Sequence, residues 1–264
     1  MAGYDLVYVA IAPPGVLEAN LIKKIAAIVN KDLYGTRLVL TGKIPRIIAH
    51  CQTMQTAESI AQSLRALGLV AIVCKDSELR KPLESYRAHT LRFGEGEILF
   101  QDRGGQVRRM ESRNVFLILK GRMENYVETQ AMRTKMKFSW PATVLTGGIP
   151  IWRKVKEKTK ELSLQTQHFV RLYGWTSSEP TVEILQYDVD YSFLGVKMAS
   201  SSFANFSTVA TRLRDMFPQA VFDDKLIKSF RVDAPSATPR DDIELNCKLI
   251  YLCQLAASNL SSSA

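Results

Sequence analysis

The 264-residue sequence is poor in residues that often carry chemistry, with only three histidines and four cysteines. The cysteines lack the spacing of a disulfide framework, which predicts thiols in a reducing cytoplasm. No apolar run approaches the ~20 residues of a membrane-spanning helix. The first residues lack the basic and apolar regions of a signal peptide. These absences predict a cytoplasmic protein without a transmembrane segment.

Recognisable catalytic motifs are also absent. Residues 145–150 contain two glycines but lack the lysine and the spacing of a P-loop. His50 precedes Cys51 in a predicted strand, where adjacent side chains point to opposite faces, so a nucleophile–base pair is not expected. Cys247 and Cys253 are six residues apart on a predicted helix, on different sides of its axis, so they are not expected to share a metal. The sequence predicts no catalytic group and no cofactor.

The first 76 residues carry a regular pattern of strands and helices. Apolar residues at helical spacing predict one helix over residues 16–29 and a second that begins at Thr53 and ends before Gly68. The Thr53 hydroxyl is expected to cap the second helix. We expect two helices on one face of a three-stranded sheet, because the chain alternates between these elements. The predicted strands are residues 6–11, 46–51 and 69–74, and a connecting turn is predicted over residues 32–40.

Some residues of this segment match a known pattern. They are Ile22, Lys23, Lys24, Ile25, Pro45, Ala57, Glu58, Ser59, Ile60, Leu64, Gly68 and the strand of residues 70–73. With them, residues 3–76 resemble the C-terminal domain of the bacterial ribosomal stalk protein, whose fold is shared with the Clp-protease adaptor. Ala26 stands where that family has an arginine that contacts translation factors. Both relatives are non-catalytic docking modules, so the resemblance implies a binding or adaptor protein with a protein partner and contacts by Lys23 and Lys24.

The rest of the chain predicts a mixed domain over residues 89–257, joined to residues 1–76 by a polar linker at 77–88. Short apolar runs between turn residues predict a four-stranded antiparallel meander. A basic connecting helix and C-terminal helices are expected to follow, with a disordered tail at 258–264. The predicted meander strands are residues 89–93, 97–101, 106–110 and 115–119. The fold class is therefore α+β, a small stalk-like sandwich followed by a mixed domain.

Positive charge is concentrated in the middle of the chain, which has a net charge of +9. Residues 89–160 contain 15 Lys and Arg against 7 Asp and Glu, whereas residues 161–264 contain 9 against 12. As an alternative to an adaptor, this block predicts binding of RNA or an anionic surface through residues 103–160. A solvated basic surface, or pairing with the acidic C-terminal third, stays open. The predicted anion-binding residues are Arg108, Arg109, Arg113, Lys120 and Arg122.

A second alternative is a metal-dependent enzyme. Residues 182–191 alternate enough to predict a strand, on which Asp188 and Asp190 would share one face. Paired carboxylates can hold Mg²⁺, and Asp223 and Asp224 could complete such a site. The competing interpretation is the solvent face of an edge strand. The sequence leaves the ligand and the oligomeric state open.

Overall fold

The computed structural model describes residues 5–82, 84–138, 152–178, 180–228 and 240–262. The chain forms two compact units, residues 1–123 with 167–264 and residues 124–166. Helices combine with antiparallel and mixed sheets, so the predicted α+β class is confirmed. The domain boundaries expected at residues 76 and 88 stay predictions.

Eleven strands and seven α-helices lie in the described residues. The strands are β1 (Val7–Ile11), β2 (Arg46–Cys51), β3 (Ala71–Lys75), β4 (Arg87–Ala88), β5 (Thr90–Phe93), β6 (Glu97–Gln101), β7 (Val107–Glu111), β8 (Leu117–Phe138), β9 (Trp152–Tyr173), β10 (Val182–Leu185) and β11 (Val221–Asp223). The helices are α1 (Ala19–Val29), α2 (Leu33–Leu40), α3 (Met54–Arg65), α4 (Asp76–Arg80), α5 (Ser202–Met216), α6 (Lys225–Lys228) and α7 (Arg240–Ser262). Short 3₁₀ helices cover Ser112–Asn114 and Tyr191–Lys197.

The N-terminal sheet has the strand order β2-β1-β3, with both outer strands antiparallel to β1. Val7, Val9 and Ile11 alternate along β1 and pack with apolar residues of α1 and α3. The predicted three-stranded sheet with these two helices on one face is therefore confirmed. The predicted turn at 32–40 is wrong, because these residues form α2. The Asp32 carboxylate starts this helix by accepting the Gly35 amide at 2.7 Å.

The second face of this sheet is covered by α7. Tyr8, Ala10 and Cys74 pack there with Leu249 and Cys253 of that helix. The buried Lys248 strengthens the attachment, since its ammonium donates to the carbonyls of residues 78, 79 and 81 at 3.0, 3.0 and 2.6 Å. These carbonyls close α4, where a cation is favourable. The N-terminal sheet is thus buried on both faces.

The second sheet has the order β11-β8-β9-β10-β4, and the β5-β6-β7 meander packs near it. The Phe116 amide donates to the Tyr173 carbonyl at 2.8 Å, which places the start of β8 beside the end of β9. One face of the sheet packs on α7, through residues such as Leu119 and Phe169. The other face packs on α5 and on Phe100 of the meander. Helix α7 therefore lies between the two sheets.

Several predicted elements differ from the structure. The meander has three strands, because residues 117–119 begin β8 of the five-stranded sheet. The expected basic connecting helix is wrong, since β8 and β9 occupy that part of the chain as two 22-residue strands. Helix α7 continues to Ser262, into the predicted tail. None of the helices in the described ranges combines the length and apolar character needed to cross a membrane.

Replacing Thr53 by alanine is expected to destabilise the protein by about 1 kcal/mol. The Thr53 hydroxyl accepts the Thr56 amide at 3.2 Å and so satisfies a free donor at the start of α3. Ser63→Ala is the matched control, because the Ser63 hydroxyl bonds back to a carbonyl of its own helix and alanine favours the helix interior. Urea unfolding of both variants checks this. Equal stabilities would contradict the capping role.

Candidate functional site

The predicted anion-binding residues do not form one patch. Arg108 and Arg109 are adjacent on β7, so they point to opposite faces of the meander. Arg109 forms an ion pair with Glu97, and Arg113 Nε lies 2.8 Å from the carboxylate of Glu111. These two arginines therefore already have carboxylate partners on the meander.

Lys120 and Arg122 lie at alternate positions of β8, away from the meander strands. The Lys120 ammonium is 6.0 Å from the centre of the Phe206 ring on α5. Burial lowers the pKa of Lys120, and the charge of Asp224 opposes this effect. The remaining predicted contact residues, Lys23 and Lys24, are exposed on α1. The sequence-predicted basic residues are thus distributed over four different elements.

Arg108 lines a cleft of about 540 Å³ that the sequence did not predict. Charged and polar side chains from three separate segments, residues 84–89, 102–108 and 188, meet in this arginine cleft. They include Ser85, Arg87, His89, Arg103, Arg108 and Asp188. The segments are up to about a hundred residues apart in the chain, so no local spacing signals the site.

Three charged side chains on neighbouring strands, Arg171, Glu183 and Arg87, position one wall of the arginine cleft. We call this set the charge ladder. Glu183 on β10 lies opposite Arg171 on β9 and beside Arg87 on β4. Arg171 donates from Nε and Nη2 to Glu183 Oε1 at 2.8 and 2.7 Å, and both side chains are only 1% exposed. The second carboxylate oxygen receives the Ser85 hydroxyl and lies 3.3 Å from Arg87 Nε. The side chain of Arg87 is 51% exposed and is thus positioned by the buried carboxylate of Glu183.

The two aspartates of the metal alternative have separate roles. Strand β10 ends at Leu185, so Asp188 and Asp190 do not share a strand face. Asp188 Oδ1 lies 3.3 Å from Arg103 Nη2, so these two residues form an ion pair. Asp190 caps the following 3₁₀ helix, and hydrogen bonds from the Ser192 amide and hydroxyl lower the pKa of Asp190. Within the described ranges, no group of three or more His, Cys, Asp and Glu residues could hold a metal ion.

The cysteine and histidine side chains have structural surroundings. Cys51 is buried and His50 is exposed, as the alternation of β2 predicts. Burial raises the pKa of Cys74 and of Cys253 to about 12, so both remain thiols. His89 Nδ1 contacts the carbonyl oxygen of Asp188. Because a carbonyl only accepts, Nδ1 carries the proton, and Nε2 of a neutral His89 is an acceptor.

The densest basic segment forms a second candidate site, which we call the ribbon and define as residues 124–138 and 152–166. These residues are the parts of β8 and β9 that belong to the second compact unit. Fifteen residues of strand extend about 50 Å. The ribbon contains four acidic residues and these eight basic ones: Arg133, Lys135, Lys137, Arg153, Lys154, Lys156, Lys158 and Lys160. The last four occupy alternate positions of β9.

No known protein family, curated protein or solved structure matches this chain. The resemblance of residues 3–76 to the ribosomal stalk domain therefore stays a prediction.

Proposed function

We propose that this protein binds duplex DNA and contacts its phosphates through the ribbon. The observation that carries the proposal is that the basic block lies in two long neighbouring strands instead of a helix. A two-stranded ribbon fits the major groove of B-DNA, which is about 12 Å wide. A-form RNA has a deep, narrow major groove that admits side chains poorly, so the ribbon favours DNA over duplex RNA.

Charge supports the same proposal. The ribbon has twice as many basic as acidic residues, and lysines placed at alternate strand positions can follow a line of phosphates. Such contacts release condensed counterions, so the affinity should fall steeply as salt rises. Because phosphate contacts carry no sequence information, the expected binding is largely independent of base sequence.

The test is a fourfold charge reversal in the ribbon, Lys154→Glu/Lys156→Glu/Lys158→Glu/Lys160→Glu. Fluorescence anisotropy with a labelled duplex at several salt concentrations measures the affinity. We expect at least about a hundredfold loss at low salt, since several charge-assisted contacts become repulsive. The salt slope should become shallower by about 0.9 for each phosphate contact removed.

The matched control reverses four exposed lysines elsewhere, Lys23→Glu/Lys24→Glu/Lys31→Glu/Lys43→Glu. It changes the net charge equally and should keep most of the affinity, and thermal melting verifies that both variants are folded. Equal losses in the two variants, or tighter binding of duplex RNA than of DNA, would contradict the proposal.

A second candidate is the adaptor function that the stalk resemblance implies. It is supported by α2, which exposes the large apolar side chains of Leu33, Tyr34 and Leu38. Exposed apolar residues grouped on one short helix are typical of protein contacts. Absence of DNA binding by the unmodified protein would leave this candidate in place.

A further inference from the structure

The arginine cleft presents two guanidinium groups whose charge is not neutralised by a carboxylate of their own. For Arg87, the lack of its own counter-charge follows from the contacts of Glu183 in the charge ladder. Glu183 is already matched by the buried Arg171, which donates two hydrogen bonds to it. The three side chains together carry one excess positive charge, and Arg87 is the member that reaches the arginine cleft.

Arg108 contacts only neutral groups among the described residues. Its Nη1 donates to the carbonyl of Thr181 at 2.6 Å, and its guanidinium lies 4.7 Å from the centre of the Tyr86 ring. Stacking on an aromatic ring fixes the guanidinium plane and leaves further donors available. The Tyr86 hydroxyl in turn bonds the carbonyls of Phe100 and Gln106, which fixes the ring itself.

Three acidic side chains line the arginine cleft, Glu84, Asp102 and Asp188. Asp188 is paired with Arg103, Asp102 accepts the Gln106 amide at 2.8 Å within its own turn, and Glu84 is exposed to solvent. His89 also lines the arginine cleft. An entering anion would therefore meet Arg87 and Arg108 as its cationic partners.

We infer that the arginine cleft binds a small phosphorylated molecule, whose phosphate lies between Arg87 and Arg108. Guanidinium groups match phosphate oxygens with paired hydrogen bonds, and prior fixation by Glu183 and Tyr86 reduces the entropy lost on binding. The volume of about 540 Å³ lies in the range typical of small-molecule sites. This binding is independent of the DNA contact proposed for the ribbon.

Isothermal titration of the full-length protein with inorganic phosphate and with pyrophosphate tests the inference. Arg108→Gln and Arg87→Gln should each weaken binding at least about tenfold. Arg109→Gln is the matched control, because Arg109 is the next residue on the same strand but points to the opposite face. It should change the affinity less than about threefold. Circular dichroism verifies that each variant is folded.

Two variants distinguish phosphate binding in the arginine cleft from DNA binding by the ribbon. The ribbon variant with four glutamates should bind pyrophosphate as the unmodified protein does, and Arg108→Gln should bind duplex DNA unchanged. If neither phosphate nor pyrophosphate binds, or if Arg108→Gln and Arg109→Gln lose affinity equally, the inference is wrong. Loss of pyrophosphate binding only in the ribbon variant would also overturn it.

Discussion

Glu183→Gln is expected to lower the free energy of unfolding by about 3 kcal/mol. The substitution keeps the shape of the side chain, so no cavity forms, but it leaves the buried Arg171 without its counter-charge. Arg171 depends on this partner, because its Nη1 has no hydrogen-bond acceptor within the described ranges. Breaking one half of a buried ion pair costs more than the pair itself contributes.

Urea unfolding measures this loss, with Arg87→Gln as the control. Arg87 contacts the same carboxylate from a half-exposed position, so its replacement should cost less than about 1 kcal/mol. The double variant Arg171→Met/Glu183→Leu should recover most of the stability, because it removes both buried charges. A Glu183→Gln variant as stable as Arg87→Gln would show that the ladder is not a buried ion pair.

Gly121→Ala is expected to destabilise the protein by about 3 kcal/mol. A Cβ atom at this position of β8 would lie 2.5 Å from Cε1 of Phe169 on β9. The ring has little freedom to move, since it is fully buried and the Arg171 guanidinium lies 5.0 Å from its centre. The added methyl group therefore forces a shift of the sheet itself.

Thermal and urea unfolding check this prediction against Gly15→Ala, whose Cβ would meet no atom within 4 Å. That control should stay within about 0.5 kcal/mol of the unmodified protein. The double variant Gly121→Ala/Phe169→Leu should regain part of the loss, because the smaller side chain leaves space for the methyl group. If the stability losses of Gly121→Ala and Phe169→Leu simply added in the double variant, the strain would not come from the contact between these two residues.

Much of the N-terminal fold could be predicted from the sequence because its signals are local. Thr53 is followed by a helical apolar pattern, and Gly68 adopts a positive φ of 80° after α3. Strand β6 has the predicted bounds, since glycines or turn residues bracket a short apolar run. In each case, the residues that form the cap, the turn or the apolar pattern lie within about a dozen positions of one another in the chain.

The wrong predictions have different physical causes. The turn predicted over residues 32–40 is a helix instead, because the Asp32 carboxylate accepts the Gly35 amide and caps α2. Residues 117–138 and 152–173 contain many lysine, glutamate and glutamine residues that favour helices. They form β8 and β9 instead, which shows that cross-strand pairing overrides helix propensity in this segment.

The sequence by itself determined the α+β class, the main N-terminal elements and the location of the positive charge. Only the tertiary structure decided where α7 packs and which charged residues meet. Helix α7 is apolar on two sides, and only the packed chain shows that these sides belong to two different sheets. Arg87, Arg108 and Asp188 meet in the arginine cleft through strand pairing between distant segments. Contacts of this kind depend on register and packing, which leave no spacing signal along the chain.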